Sequence, residues 1–177
     1  MDILITILLA LAGIIAFLLL AALFMKKEHF VKCEIIINAP VQKVFDYVKL
    51  LRNQDKFNVH AKTDPNRKEE FNGTDGTIGF IYSWSGNKDA GEGQKEIKNM
   101  VEGKSIETEI RFIKPMVTSS TVIMTTESVS ENETKVTWSN EGKLPYPLNL
   151  MIPIFQKLFA KAMDKSLTQL KGILEKN

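Results

Sequence analysis

From Ile3 to Met25 the chain carries no charge, and Thr6 is the only polar side chain in that run. This feature constrains the fold more than any other, because a segment apolar all round has no face to leave in water. As a helix rising 1.5 Å per residue it reaches roughly 35 Å, against a hydrocarbon core of about 30 Å. A cleaved secretory leader would need a basic start, a shorter apolar centre and small residues at the cut. Here the start is Met1-Asp2 and the run ends Leu23-Phe24-Met25. The expectation is an uncleaved anchor with its basic flank over residues 1–28, and one domain over 29–177.

Lys26, Lys27 and Lys32 follow the run and no Lys or Arg precedes it, so the positive-inside rule places the domain in the cytoplasm. A single cysteine, Cys33, agrees with a reducing compartment. The 23 basic and 21 acidic residues nearly balance, and no basic patch is threaded with aromatics, so nucleic acid is not an expected partner. Nothing in the residues names a protein partner. Lys157, Lys161 and Lys165 recur every four residues. They read as the solvated side of an amphipathic helix, or as contacts for anionic headgroups if that face meets a bilayer.

Beyond the anchor the apolar period shifts along the chain. His29 to Asn38 alternates as a strand, with Val31, Cys33, Ile35 and Ile37 on one side. Asn38-Ala39-Pro40 breaks it and opens a helix on Val41, Val44, Phe45, Val48 and Leu51. A shorter helical piece is expected around Phe57. Period two then returns in Arg67–Phe71, Thr77–Trp84, Gly91–Met100, Lys104–Phe112, Thr118–Ser130 and Glu133–Leu144, with short turn clusters between them, as antiparallel hairpins require. Pro145-Tyr146-Pro147 stops the last strand. A long amphipathic helix follows from about Pro153, on Phe155, Leu158, Phe159, Ala162, Met163, Ser166, Leu167 and Leu170. The apolar link Pro147–Phe155 reads either as a lid or as a packed connection.

Several local runs stand in a familiar order: Ile37-Asn38-Ala39-Pro40 into Val44-Phe45-Asp46-Tyr47-Val48, then Tyr82-Ser83-Trp84-Ser85-Gly86, Gly91-Glu92-Gly93 and Gly103-Lys104. Phe112-Ile113-Lys114-Pro115 and Thr134-Lys135-Val136-Thr137-Trp138 complete it. In that order the chain, from His29 to Leu174, resembles the START and pollen-allergen-like superfamily, in particular its polyketide cyclase/dehydrase and lipid transport branch. The resemblance implies an α+β helix-grip fold: a seven-stranded antiparallel sheet wrapped on a long C-terminal helix, two short helices after the first strand, and an internal cavity. It implies no single activity, because one fold hosts many functions.

Catalytic signals are sparse. Two histidines and one cysteine cannot build a zinc cluster, and no nucleophile elbow, P-loop or dinucleotide fingerprint is present, so no metal, cofactor or catalytic residue is assigned. His29 is expected at the membrane interface and His60 at the surface or half-buried. Glu107 and Glu109 share parity with Arg111, and Glu92 and Glu96 with Gln94 and Lys98, so all four read as solvated.

The inward faces carry the functional expectation. Ile78, Phe80, Tyr82 and Trp84 share one side of their strand; Ile106, Thr108, Ile110 and Phe112 share one side of another. Val122, Met124 and Trp138 follow, facing Phe155, Leu158, Phe159, Ala162, Met163 and Ser166 of the helix. Polar groups set among apolar ones suit a pocket of roughly 300–1,000 Å³ for a small apolar ligand. The leading expectation is a membrane-anchored binding or transfer protein for a lipid, isoprenoid or similar molecule. A cyclase/dehydrase-type enzyme, supported if a perturbed carboxylate or Tyr82 faces the pocket, and a protein-interaction or stress module with a filled core are the alternatives.

Overall fold

The computed structural model describes residues 2–176. The apolar run forms helix α1 (Asp2–Phe24), whose most apolar stretch is bare of protein contact along its length. It is long and apolar enough to cross a membrane. After Met25, Lys26 and Lys27, strand β1 (Glu28–Ile37) begins, burying His29, Val31 and Cys33 and exposing Phe30, Lys32 and Glu34. This is the pleat alternation expected of a strand with one covered face.

Two short helices follow, α2 (Val41–Val48) and α3 (Leu51–Phe57), and then a 3-10 turn at Val59–Lys62. Helix α2 buries Val44, Phe45 and Val48. The Thr134 hydroxyl donates to the Ala39 carbonyl at 2.7 Å, tying the start of α2 to the opposite end of the sheet from α1. Helix α3 has no capping side chain of its own. Asp75, from the turn after β2, accepts from the Leu51 and Arg52 N–H groups at 2.8 and 3.2 Å and supplies the missing acceptor.

Strands β2 (Lys68–Asn72), β3 (Ile81–Ser85), β4 (Glu92–Val101), β5 (Ser105–Lys114), β6 (Thr118–Ser130) and β7 (Glu133–Lys143) join β1 in one antiparallel sheet. Its order is β1-β7-β6-β5-β4-β3-β2, all hairpin neighbours except the β1–β7 pair. Helix α4 (Ile152–Leu174), with Pro153 in its first turn where no N–H is required, covers the inward face. The expected α+β helix-grip fold is therefore present. Phe45, Phe57, Ile97, Ile106, Leu167 and Leu170 are solvent-free, each contributing about 1.5–3 kcal/mol by burial.

Two local expectations change. The strand expected from Thr77 starts only at Ile81, because Gly76 and Gly79 adopt φ of +79° and +85°, left-handed values that turn the chain. Ile78, between them, is 60% exposed and faces solvent. In the link after β7 a 3-10 turn, Leu148–Met151, fully buries Asn149, whose Nδ2 donates to the carbonyls of Ala22 at 2.7 Å and Met25 at 3.1 Å.

Candidate functional site

The end of the sheet nearest α2 is filled by α2 and the start of α3. The other end, where β1 begins and β7 stops, is not. There a cavity of about 380 Å³ lies between sheet and α4. Strand register shows how it is built. One cross-sheet row runs Tyr82, Lys95, Ile110, Ser120, Gly142, His29, each residue opposite the next. All but Gly142 line the cavity. Gly142 keeps the row open, since a Cβ there would stand 2.7 Å from His29 Cε1. Phe155, Phe159, Met163 and Ser166 of α4 form the opposite wall, and Trp84, Phe112 and Met116 close one side. A larger, more open hollow of about 580 Å³, bounded by Lys27, Val117 and Tyr146, lies on the outside and shares Ser120 and Leu144 with the cavity's lining.

Two polar clusters sit on that row with Ile110 between them. In the first, Arg67 Nη2 pairs with Asp55 Oδ2 at 2.8 Å and its Nε with Glu69 Oε1 at 2.9 Å. The Tyr82 hydroxyl donates to Glu69 Oε1 at 3.1 Å, and Lys95 Nζ donates to Gln54 Oε1. Lys95 is buried, and desolvation pulls its amine down to about 8, opposed by the charges of Asp55 and Asp75. Burial raises Asp55 above the usual carboxylate range, opposed by Tyr82, Lys95 and Arg67. Burial also raises the Tyr82 hydroxyl, and Asp55 adds to that. Desolvation thus destabilises the charged form of three groups facing one space, a pattern typical of binding and catalytic sites.

In the second cluster His29 Nε2 and Asn140 Oδ1 are 3.0 Å apart, Asn140 Nδ2 donates to Ser120 Oγ at 3.2 Å, and the His29 ring meets Phe155 edge-on at 4.9 Å. Two buried nitrogens on the cavity wall, Trp138 Nε1 and His29 Nδ1, have no hydrogen-bond partner among the described residues. Leaving a buried polar atom unpaired costs about 1–3 kcal/mol, a cost that a polar group on a bound molecule would remove.

Of the residues expected on the cavity, Tyr82, Trp84, Ile110, Phe112, Val122, Trp138, Phe155, Phe159, Met163 and Ser166 line it. Ile106, Thr108 and Met124 are buried in the solid core deeper along the same strands, and Phe80, just before β3, is buried there too. Ala162 is half-buried off the wall, and Leu158, 64% exposed, points to solvent one helical position beyond the covered stripe. Ile78 lies on the turn described above. His29 is buried on the cavity wall, because it shares the parity of Val31 and Cys33. His60 is exposed at the rim, stacked on Phe159 at 5.7 Å. Asp55, Arg67 and Lys95 escaped the sequence reading. Lys95 had a signal: Glu92, Gln94, Glu96 and Lys98 face out on β4, so Gly93, Lys95 and Ile97 must face in. Asp55 had none, lying on a short helix without clear periodicity.

No known family model and no curated protein matches the sequence. Solved structures do match the fold. A protein from Chromobacterium violaceum aligns with TM-score 0.59 at 14% identity, over 83% of this chain and 97% of that one. Ara h 8.0201 aligns with TM-score 0.58 at 15% identity, over 85% and 99%. Norcoclaurine synthase from Thalictrum flavum, in complex with dopamine and hydroxybenzaldehyde, aligns with TM-score 0.63 at 10% identity, over 88% and 91%. At 14%, 15% and 10% identity these neighbours show that the chain shares their fold.

Proposed function

We propose that the chain is a membrane-tethered binding or transfer protein that holds a small, largely apolar molecule between its sheet and α4. The observation that carries this reading is the partly open cavity of about 380 Å³, apolar along Ile110, Val122, Phe155 and Met163, with buried polar atoms left unpaired at Trp138 and His29. Its volume lies within the range of small-molecule sites. Helix α1 supplies the tether, and the flanking lysines orient the domain to the cytoplasm. A molecule that partitions into the bilayer is concentrated beside a cavity held there. The test is native mass spectrometry of the detergent-solubilised full chain before and after extraction with organic solvent. A co-purifying apolar molecule near one-to-one is expected; a clean apo mass, with no uptake from a panel of lipids and isoprenoids, refutes it.

The Asp55–Tyr82–Lys95 cluster favours a second reading, a cyclase/dehydrase-type enzyme that moves protons on the bound molecule. General acid–base groups work best with proton affinities near the operating pH, and a lysine at about 8 meets that condition. If this reading holds, Lys95→Met abolishes conversion of a bound ligand while leaving its binding intact. Recovery of the same unaltered molecule from the wild type and the variant removes it.

A further inference from the structure

The junction between helix and domain has no slack. Only Met25, Lys26 and Lys27 separate α1 from β1, and the Leu144 N–H donates to the Lys27 carbonyl at 2.8 Å. Asn149, fully buried, holds the carbonyls of Ala22 in the last turn of α1 and of Met25 just beyond it. The end of α1 is thus pinned to the turn that precedes α4, and the surface around that turn cannot swing away from it.

That surface is unusual. Tyr146, Leu148, Met151, Ile154 and Leu158 are 41%, 42%, 48%, 54% and 64% exposed and follow one another along the chain from the latch outward. Single exposed apolar side chains are ordinary, but a contiguous set marks a contact surface. Val117, 80% exposed, lies with Tyr146 and Lys27 around the same outer groove. Lys26, Lys27, Lys143, Lys157 and Lys161 are exposed at this end as well, outnumbering the exposed Glu28 and Glu141 there. The far hairpin between β6 and β7 instead carries Glu131 and Glu133. An apolar and aromatic collar edged with lysines, set around a spanning helix, has the composition of a protein face at an anionic membrane interface.

We propose that this end of the domain, from Tyr146 to Leu158, docks on the headgroup layer of the bilayer that α1 crosses. The cavity then faces the membrane, because Leu144 and Phe155, which line it, flank the same stretch. The proposal rests on the reading of α1 as a span and adds a fixed orientation, which a tether alone does not give.

The test uses the full chain in vesicles of phosphatidylcholine and phosphatidylglycerol carrying spin-labelled lipids as quenchers, at headgroup level for the collar and the far hairpin and at mid-chain depth for α1. A fluorophore is placed on single cysteines: Ile154→Cys and Leu158→Cys in the collar, Leu11→Cys within α1, and Ser130→Cys at the far hairpin. Native Cys33 is buried with its thiol pushed up to about 12, so it stays unlabelled. Ser130 lies the length of β6 from the collar, 13 residues or roughly 40 Å. Strong loss of fluorescence at Ile154, Leu158 and Leu11, with none at Ser130, is the expected result. Quenching at Leu11 without quenching at Ile154 or Leu158 overturns the docking while leaving the tether. No quenching at Leu11 overturns the tether itself, and the docking with it.

Discussion

Lys95 offers the sharpest quantitative test of the cavity. Its amine lies on the central sheet row and is held at about 8 in the folded chain, against 10.5 as an ordinary lysine. A base whose folded proton affinity is lowered makes stability rise with pH only where the unfolded chain binds more protons, and that is the window from pH 8 to 10.5. Below it both states are protonated and the cost of burying the charge is constant. Through it stability rises at up to 1.36 kcal/mol per pH unit, and above it the gain levels off. Between pH 7 and pH 10 the rise sums to about 2.5 kcal/mol. Cys33 acts in the opposite sense. Its thiol, pushed up to about 12 chiefly by burial, keeps a proton that the unfolded chain loses above 9, so it lowers stability at alkaline pH. The measurement is therefore a difference: urea unfolding of the detergent-solubilised wild type and of Lys95→Met, followed by circular dichroism at pH 7, 8, 9 and 10. The variant keeps the aliphatic stem and all other titrating groups, so Cys33 cancels. Wild-type stability should gain about 2.5 kcal/mol on the variant across this range. Parallel pH profiles would refute the buried, desolvated placement of Lys95.

Other expectations follow from single contacts. Asn149→Ala removes both hydrogen bonds to the end of α1 and should cost about 1–3 kcal/mol, with faster proteolysis between Met25 and Glu28; unchanged cleavage would mean the latch is not closed in solution. Gly142→Ala sets a Cβ 2.7 Å from His29 Cε1 and 3.0 Å from Ser120 Cβ, so a loss of about 1–3 kcal/mol and a shifted His29 ring resonance in NMR are expected. Val122→Phe, on the cavity wall, should lower the stoichiometry of co-purifying ligand without lowering the melting temperature. Full occupancy in that variant would place the ligand elsewhere.

Much of this architecture was legible because two periods carry it. Alternation named the strands and the 3.6 repeat named α2 and α4, so the face of each β residue from Tyr82 to Trp138 could be read directly. What failed, failed for local reasons. Ile78 has the parity of Tyr82, but two left-handed glycines end the regular backbone around it. Leu158 belongs to the apolar stripe of α4 by spacing, yet the sheet covers only the arc occupied by Phe155, Phe159 and Met163. Depth along a strand is invisible to parity. Ile106 and Ile110 share a face, and only the position of α2 at the other end decides that the first is core and the second is cavity wall. Asp55 and Arg67, adjacent to each other through an ion pair, come from a short helix and a turn that carry no period at all.

The coincidence of anchor, latch and cavity at one end follows from topology. In an antiparallel β1–β7 pair the start of β1 lies beside the end of β7, here Glu28 opposite Lys143. A segment preceding β1 and the segment leading into the helix after β7 must therefore meet, as Lys27 and Leu144 do. The chain leaving β1 emerges at the opposite end, so its short helices are placed to plug that end with Val44, Phe45 and Val48. The space that remains under α4 lies at the end of the sheet where β1 begins. If α1 crosses a membrane as proposed, its place before β1 brings the bilayer to the cavity end of the grip, whereas a helix following α4 would emerge beside Asn38, whose N–H is bonded to Glu175 at the other end. Under the proposed function, this is the arrangement that gives a molecule leaving the membrane the shorter path to Ile110 and Phe155.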